Sequence, residues 1–427
     1  MVKKIVIAVV CLAATGLCAQ NGTVSPYSFF GIGDPRSFGT VENQMMGSLG
    51  VYGDSIHINL QNPAAYSKLK VSLNDGLGLA VYAAGISNRQ VEIESFTESA
   101  RSATTNLDYL SLGFGLGNGL GVGFGIAPYS SVGYNLLTES NDGSVLNLFT
   151  GEGGLNRVYL SVGYELFENF SIGATSNFNF GKLESQRVQS IQDVQFGTRD
   201  ERTSRVNGLD FNFAAYYTPK VNDKHRLFVS ARVNTQANLT SENTRRLGSF
   251  LSSIDQEIEA FDVDLAAEGL LRTDLKIPAT TTMGVGYGED KKWFLGAEYS
   301  FQQFGDFSNE FLDVENVGYS DASSISFGGF IVPDYDAFNG YLKRVTYRAG
   351  VRYDKTGLVV SDRDINNFGI TFGVGLPLGR GQYSNLNLGF ELGRRGTTAN
   401  DLVEESYLKI NIGFSFNDLW FQKRKIN

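Results

Sequence analysis

The sequence predicts an all-β protein: a transmembrane antiparallel β-barrel of about 14 strands, with an N-terminal plug inside its lumen. Three observations carry that expectation. A secretory leader opens the chain, apolar residues alternate with period 2 in segment after segment behind it, and the links between those segments are short and long in turn. Composition agrees, because 50 Gly, 31 Phe and 20 Tyr stand against 8 Pro and 2 His in 427 residues, an aromatic and glycine excess unlike an ordinary soluble enzyme. No window after the leader approaches the roughly 20 consecutive apolar residues of a membrane helix.

Taken in order, Lys3 and Lys4 precede an apolar run from Ile5 to Ala14, followed by Thr15-Gly16-Leu17-Cys18-Ala19. This reads as a signal peptide over residues 1–19, cleaved after Ala19. A lipoprotein needs a small residue just before its cysteine, and Leu17 precedes Cys18 while Val10 precedes Cys11. Both cysteines lie in the leader, so the mature chain has no disulfide and no thiolate metal site. With 45 acidic against 36 basic residues the net charge is −9, and loss of Lys3 and Lys4 makes the remainder more acidic. That balance argues against nucleic acid as a partner.

Residues 20–69 read as an N-terminal segment and plug. The run from Met45 to Ser67 is rich in glycine and small residues, keeps no sustained period, and closes on Asn62-Pro63-Ala64, a turn signal just before the first strand-like segment.

Residues 70–418 read as the barrel. Leu110, Leu112, Phe114 and Leu116 alternate with Ser111, Gly113 and Gly115, and Val158, Leu160, Val162 and Tyr164 repeat the pattern. There are about fourteen such segments, each near the roughly 9 to 11 residues that cross a bilayer at a tilt. Short links fall at 117–119, 167–169, 219–224, 288–291 and 379–382, with a somewhat longer one at 333–342. Longer, more polar links are expected at 87–105, 131–155, 184–204, 239–277, 304–321, 354–364 and 395–404. A barrel with both chain ends in the periplasm sorts its loops in this way. Residues 419–427 read as a basic periplasmic tail.

The inward parity holds mostly Gly, Ser, Asn and Thr, which lets the wall curve and leaves room for an inserted segment. Arg232, Arg344, Arg348 and Arg352 are the inward cations, and Glu165, Asp210, Glu298 and Glu391 the inward acids. One reading is a luminal salt-bridge network that ties strands to each other or to the plug. The other is that Arg348 or a neighbour meets an anionic head group. Catalysis has little support: a surface hydrolase needs a serine beside a histidine, and His57 falls in the plug while His225 falls by a short turn. No metal-ligand spacing and no phosphate loop occur, so neither cofactor nor metal is expected. The acidic run 255–264 reads as a solvated surface.

A leader, a short plug closing on Asn62-Pro63-Ala64 after Gly47 to Asp54, and about fourteen strands resemble the long-chain fatty acid and hydrocarbon outer-membrane transporter family, the FadL-like barrels. The resemblance implies a plug that fills the barrel and an inward kink of the third strand that opens a lateral hole for apolar cargo. Here the third strand meets Ala127-Pro128-Tyr129-Ser130, and proline donates no ladder hydrogen bond, so Pro128 and Tyr129 either mark that opening or end the strand. The mature start, Ser25 to Asp34, and the basic end, Trp420 to Lys425, are similar to Bacteroidota relatives of the family, some of which look like secretion or assembly partners. Two functions follow as expectations for an outer-membrane protein of a Gram-negative bacterium. One is passive uptake of a hydrophobic small-molecule ligand, gated by the plug and released sideways into outer-membrane lipid near Pro128. The other is a scaffold for envelope protein partners in a secretion or assembly complex.

Overall fold

Period-2 alternation becomes a hydrogen-bonded ladder only when each segment finds an antiparallel neighbour, and here every segment finds two. The computed structural model describes residues 22–69, 78–140, 142–251, 256–312, 317–378 and 384–420; the leader, the link at 379–382 and tail residues 421–427 lie outside them. The wall is a closed antiparallel barrel of 14 strands. In chain order they begin with β1 (Gly78–Glu94), β2 (Ser99–Gly117), β3 (Leu120–Glu139), β4 (Val145–Phe167), β5 (Phe170–Ile191) and β6 (Phe196–Tyr217). Two bent strands follow, β7 (His225–Asn234 with Ala237–Leu251) and β8 (Arg272–Ile277 with Thr280–Glu289). The wall ends with β9 (Trp293–Gln302), β10 (Ala322–Ile331), β11 (Thr346–Val360), β12 (Arg363–Leu378), β13 (Ser384–Gly396) and β14 (Glu404–Trp420). β1 pairs with β14 from Gly78 opposite Trp420 to Glu94 opposite Glu404, which closes the ring.

Short links are tight because their residues accept left-handed backbone: Gly117, Asn118 and Gly119 have φ of 86°, 50° and 73°. Outward parity holds as expected. Val158, Leu160, Val162 and Tyr164 are 40–53% exposed, while Arg157, Tyr159 and Ser161 between them are buried. The same half-exposed rows recur on β6, β8, β9 and β12. Such a continuous apolar belt is the face that a bilayer covers.

The strands are longer than the sequence pattern implies. β4 has 23 residues, which at about 3.3 Å per residue and a tilt near 40° makes a wall roughly 58 Å tall, about twice the apolar band. The expected links at 87–105, 131–155 and 184–204 are therefore mostly strand, turning only at 95–98, 140–144 and 192–195. Above the membrane the outer face no longer meets lipid, while part of the inner face packs on the N-terminal segment, with Phe29 against Tyr134 and Phe149, so the ladder continues after the alternation has stopped.

The hydrophobic core lies inside the ring. Residues 38–69 fold into the lumen through one helical turn, Val41–Gln44, and a short 3-10 segment, Pro63–Lys68. Val41, Met45, Leu49 and Val51 are fully buried, and Tyr66 and Met46 nearly so. They pack on Tyr109, Tyr159, Tyr216, Phe228 and Phe294 from the inner face of the wall.

Candidate functional site

Asn62, Pro63 and Ala64 form the start of the 3-10 segment: the Asn62 side chain accepts the Ala64 N–H at 3.1 Å, capping it, and Pro63 supplies the fixed φ of its first position. The wall is stripped of side chains where this segment lies. A Cβ on Gly173 would sit 2.3 Å from the Ala64 nitrogen, and one on Gly163 would sit 2.4 Å from the Pro63 carbonyl oxygen. On the opposite wall, Gly328 and Gly350 leave the same clearance for Met46 and Gly47. The glycine excess is thus a pair of aisles that let the plug backbone touch the wall backbone.

Polar bonds fasten the plug around the ring. Glu298 on β9 accepts the Gly50 N–H at 2.9 Å and is ion-paired at 2.9 Å with Arg232 of β7. Thr371 accepts from Gly47 N–H at 3.0 Å, Tyr216 from Gly53 N–H at 3.1 Å, and Tyr109 from Val41 N–H at 3.1 Å. Lys68 pairs with Glu165 at 3.0 Å. Arg348 reaches the plug through a relay: its Nη1 donates to Asn387 at 3.0 Å, and Asn387 donates to Glu42 at 2.7 Å. Arg352 pairs with Glu391 at 2.7 Å, which also accepts from Tyr407 at 3.1 Å. Arg344 stands apart. It caps a 3-10 turn before β11, at the short-turn mouth of the lumen, and leans over the Tyr341 ring.

Pro128 and Tyr129 sit where the wall parts. The β2–β3 ladder rises only from the Gly117–Leu120 turn to Leu110 opposite Ile126. Above it β2 stays with β1 up to Ser99, and β3 stays with β4 up to Glu139. Pro128 does not end its strand. It lies at the start of a free edge, next to a bulge at Tyr129, and a bulge at Asp108 faces it on β2.

The chain's own N-terminal segment occupies that gap. Residues Asp34–Pro35 form a two-residue strand on the free edge of β3, Asp34 opposite Ser131 and Pro35 opposite Ser130. The Arg36 N–H donates to the Tyr129 carbonyl at 3.0 Å, and its guanidinium to the Gly22 carbonyl at 2.8 Å. Asp34 is ion-paired with Arg395 of β13 at 2.7 Å and with Arg89 of β1 at 3.1 Å. Burial works to raise the Asp34 pKa, but Arg395, Arg89 and Arg36 outweigh it and hold the carboxyl down to about 2. A cavity of about 450 Å³ lies above the plug, and another of about 490 Å³ lies in the gap; Arg36 and Pro128 border both. The upper cavity has a mixed lining, charged at Arg89, Asp108, Arg352, Glu391, Arg395 and Lys409 and apolar at Phe30, Ile32, Ile277, Phe301 and Phe304.

His57 packs in the plug, with Nδ1 2.6 Å from Asp54 and Nε2 3.3 Å from Asn385. Burial disfavours its charged form, but the Asp54 carboxylate and the hydrogen bond to it raise its pKa above the ordinary 6.5. His225 stacks on Tyr287 beside Trp293 at the membrane edge. Among the described residues no group of three or more metal-ligating side chains comes together.

Sequence reasoning missed the strap, residues 22–36, and its partners Arg89, Arg395 and Glu405, the last of which accepts from the Ser25 hydroxyl and pairs with Arg89 at 3.2 Å. Arg89 and Arg395 fall in stretches read as polar links, where parity carried no meaning, and Glu405 lies one residue beyond the last of them. It also missed Arg157, which pairs with Asp210 at 3.0 Å and covers the Tyr129 ring at 4.3 Å. A signal existed: Arg157 has inward parity beside the outward Val158 and Leu160.

A family model described as BamG matches residues 1–427, the full length of the sequence. Among solved structures, the toluene transporter TodX of Pseudomonas putida aligns with a TM-score of 0.58 at 16% identity, covering 91% of this chain and 99% of that one. The CymD monoaromatic hydrocarbon channel gives 0.57 at 12% identity, covering 90% and 98%. The toluene transporter TbuX of Ralstonia pickettii gives 0.55 at 14% identity, covering 91% and 98%. The curated protein sequences contain no match. The resemblance drawn from the sequence therefore holds at the level of the barrel fold.

Proposed function

The chain belongs to the BamG family, and from that premise we propose that it is an outer-membrane barrel subunit of an envelope assembly, which works through the surfaces it presents to other proteins. Its leader is removed after Ala19, its plug stays in place, and its short-turn face and basic tail look into the periplasm of a Gram-negative cell. The observation that carries this reading is the fastened lumen. About ten plug–wall hydrogen bonds at about 1 kcal/mol net each sum to roughly 10 kcal/mol, so a spontaneously displaced plug is populated at about one part in 10⁷. The cavity above it sets arginines, carboxylates and a lysine among Phe30, Ile32, Phe301 and Phe304, so an apolar solute there would have to share its surroundings with buried charge. Extraction from native membranes in mild detergent tests the proposal. A stoichiometric protein partner is expected, and a lone barrel carrying a lipid-like ligand would overturn it.

The gap beside Pro128 favours a second reading, passive uptake of hydrophobic small molecules with sideways release. Below the gap the outer face holds an apolar groove of about 600 Å³, bounded by Tyr82, Leu110, Phe124, Ile126, Phe414 and Phe416. In this reading the strap, and not only the plug, is the gate. Cysteines placed at Pro35 and Ser130, which face each other across the ladder, lock it in a mature chain that otherwise has none. Toluene uptake that stops on oxidation and returns on reduction supports the channel; absence of uptake in both states leaves the assembly subunit.

A further inference from the structure

At the short-turn end of the lumen lies a separate cavity of about 120 Å³, bordered by Glu42, Asp54 and His57 of the plug and by Lys291, Arg344 and Arg348 of the wall. Its charges do not cancel internally. Both Asp54 oxygens are engaged, Oδ2 by the His57 ring at 2.6 Å and Oδ1 by the backbone N–H groups of Ile56 and His57. One Glu42 oxygen accepts from Asn387, and the other has no hydrogen-bond donor. Against that single free oxygen stand two guanidiniums. Arg348 is 9% exposed, donates only to the neutral Asn387, and has no acceptor for Nε. The Arg344 Nε is likewise buried without a partner. Among the described residues neither arginine has a carboxylate within 4.0 Å. Lys291, exposed at the rim, lies over the Tyr335 ring at 4.8 Å.

A buried cation without a counter-charge costs several kcal/mol, and a guanidinium satisfies a carboxylate through two parallel hydrogen bonds. We propose that this cavity is a carboxylate-binding site reached from the periplasm, which receives an acidic side chain or the terminal carboxylate of a partner polypeptide. Its size selects the ligand. About 120 Å³ holds a carboxylate and a methylene or two, while the rest of the ligand stays outside the mouth. Its position selects the source. The cavity lies inside the ring, whereas a bilayer head group is tethered by acyl chains on the outside of the wall. The proposal deepens the assembly-subunit reading, to which it adds the chemistry of one docking point.

The full-length barrel in detergent, titrated with trifluoroacetate and followed by fluorine NMR, tests the site apart from any partner. Saturable binding in the millimolar range is expected, weakened at least tenfold by Arg348→Gln and by Arg344→Gln. Arg344→Gln keeps the test valid if Arg348→Gln fails to fold, because Arg344 is half-buried and makes no plug hydrogen bond. Acetate should displace the probe at lower concentration than inorganic phosphate does. Unsaturable binding, binding unchanged in both variants, or tenfold tighter competition by phosphate would each overturn the assignment. Anion binding without a co-purifying protein would instead retain the site and remove the assembly subunit.

Discussion

Glu298 bears on both the wall and the plug, because one carboxylate oxygen neutralises Arg232 and holds the Gly50 backbone. Glu298→Ala removes the acceptor and leaves Arg232 buried without its partner, so a loss of about 3–5 kcal/mol is expected, read as a lowered urea midpoint in lipid vesicles. Replacing the pair together, Arg232→Met with Glu298→Leu, should cost less than the single change, since no charge is stranded. Gly173→Val tests the aisle: its side chain collides with the Ala64 nitrogen, and overpacking of this kind costs about 1–3 kcal/mol. Faster amide exchange over residues 62–68, with the wall unchanged, is the expected signature; unchanged exchange would show that the plug has slack. His57 adds a pH dependence. Its pKa is raised when docked, so its contribution is full below the ordinary 6.5 and is lost as pH rises through the raised value. Asp54 is lowered although burial works to raise it, because His57 and the backbone N–H groups of Ile56 and His57 together outweigh burial; its contribution holds above 3.8 and fades as pH falls through the lowered value. Protection factors at Ile56 and His57, taken against the intrinsic exchange rate at each pH, should therefore be highest between those two ordinary values and should fall toward alkaline pH, and His57→Gln should flatten that alkaline fall.

At the scale of elements, the strap and the free edge of β3 depend on each other. The edge exposes donors that the strap covers, among them the Gly133 N–H, which donates to the Ser28 hydroxyl at 3.1 Å. Deleting residues 22–37 should raise amide exchange at Ser131 and Gly133 and leave the paired lower half of β3 as it was. Where a lipid face opposes a luminal face, outward residues meet lipid and inward ones the lumen, so parity located the wall; Arg344, given the same inward parity, instead caps the turn before β11. Above the membrane, Arg89, Arg395 and Glu405 lie where no lipid-facing row marks the other side, and the strap meets them through Asp34 and Ser25. Nothing periodic in residues 22–36 announces a strap, because a two-residue strand has no period to read. Asn62-Pro63-Ala64 was legible as a turn, since its cap and its proline act locally. The glycines that receive it were legible only as an excess, because the backbone they accommodate lies about a hundred residues away in sequence.

For the whole molecule, a wall of this circumference would carry ions if it were empty, and its filling is a measurable property. Reconstituted in planar bilayers, the intact protein should show no steady conductance, whereas removal of residues 38–69 from a barrel that still shows heat-modifiable migration should open a pore. Steady conductance by the intact protein would contradict a fixed plug. The Asp34 cluster has a consequence for how the chain reaches this state. Arg89 belongs to the first strand and Arg395 to the thirteenth, and Arg395 is 361 residues from the aspartate they share. A sheet that has not yet brought β13 round to β1 cannot offer both cations to it, so the N-terminal segment is among the last parts of the chain to settle. During refolding, protection of the strap should lag behind that of the strands and appear only with seam formation between β1 and β14. The amino terminus would then act as a latch that registers a finished ring, leaving an unfinished one open to proteases.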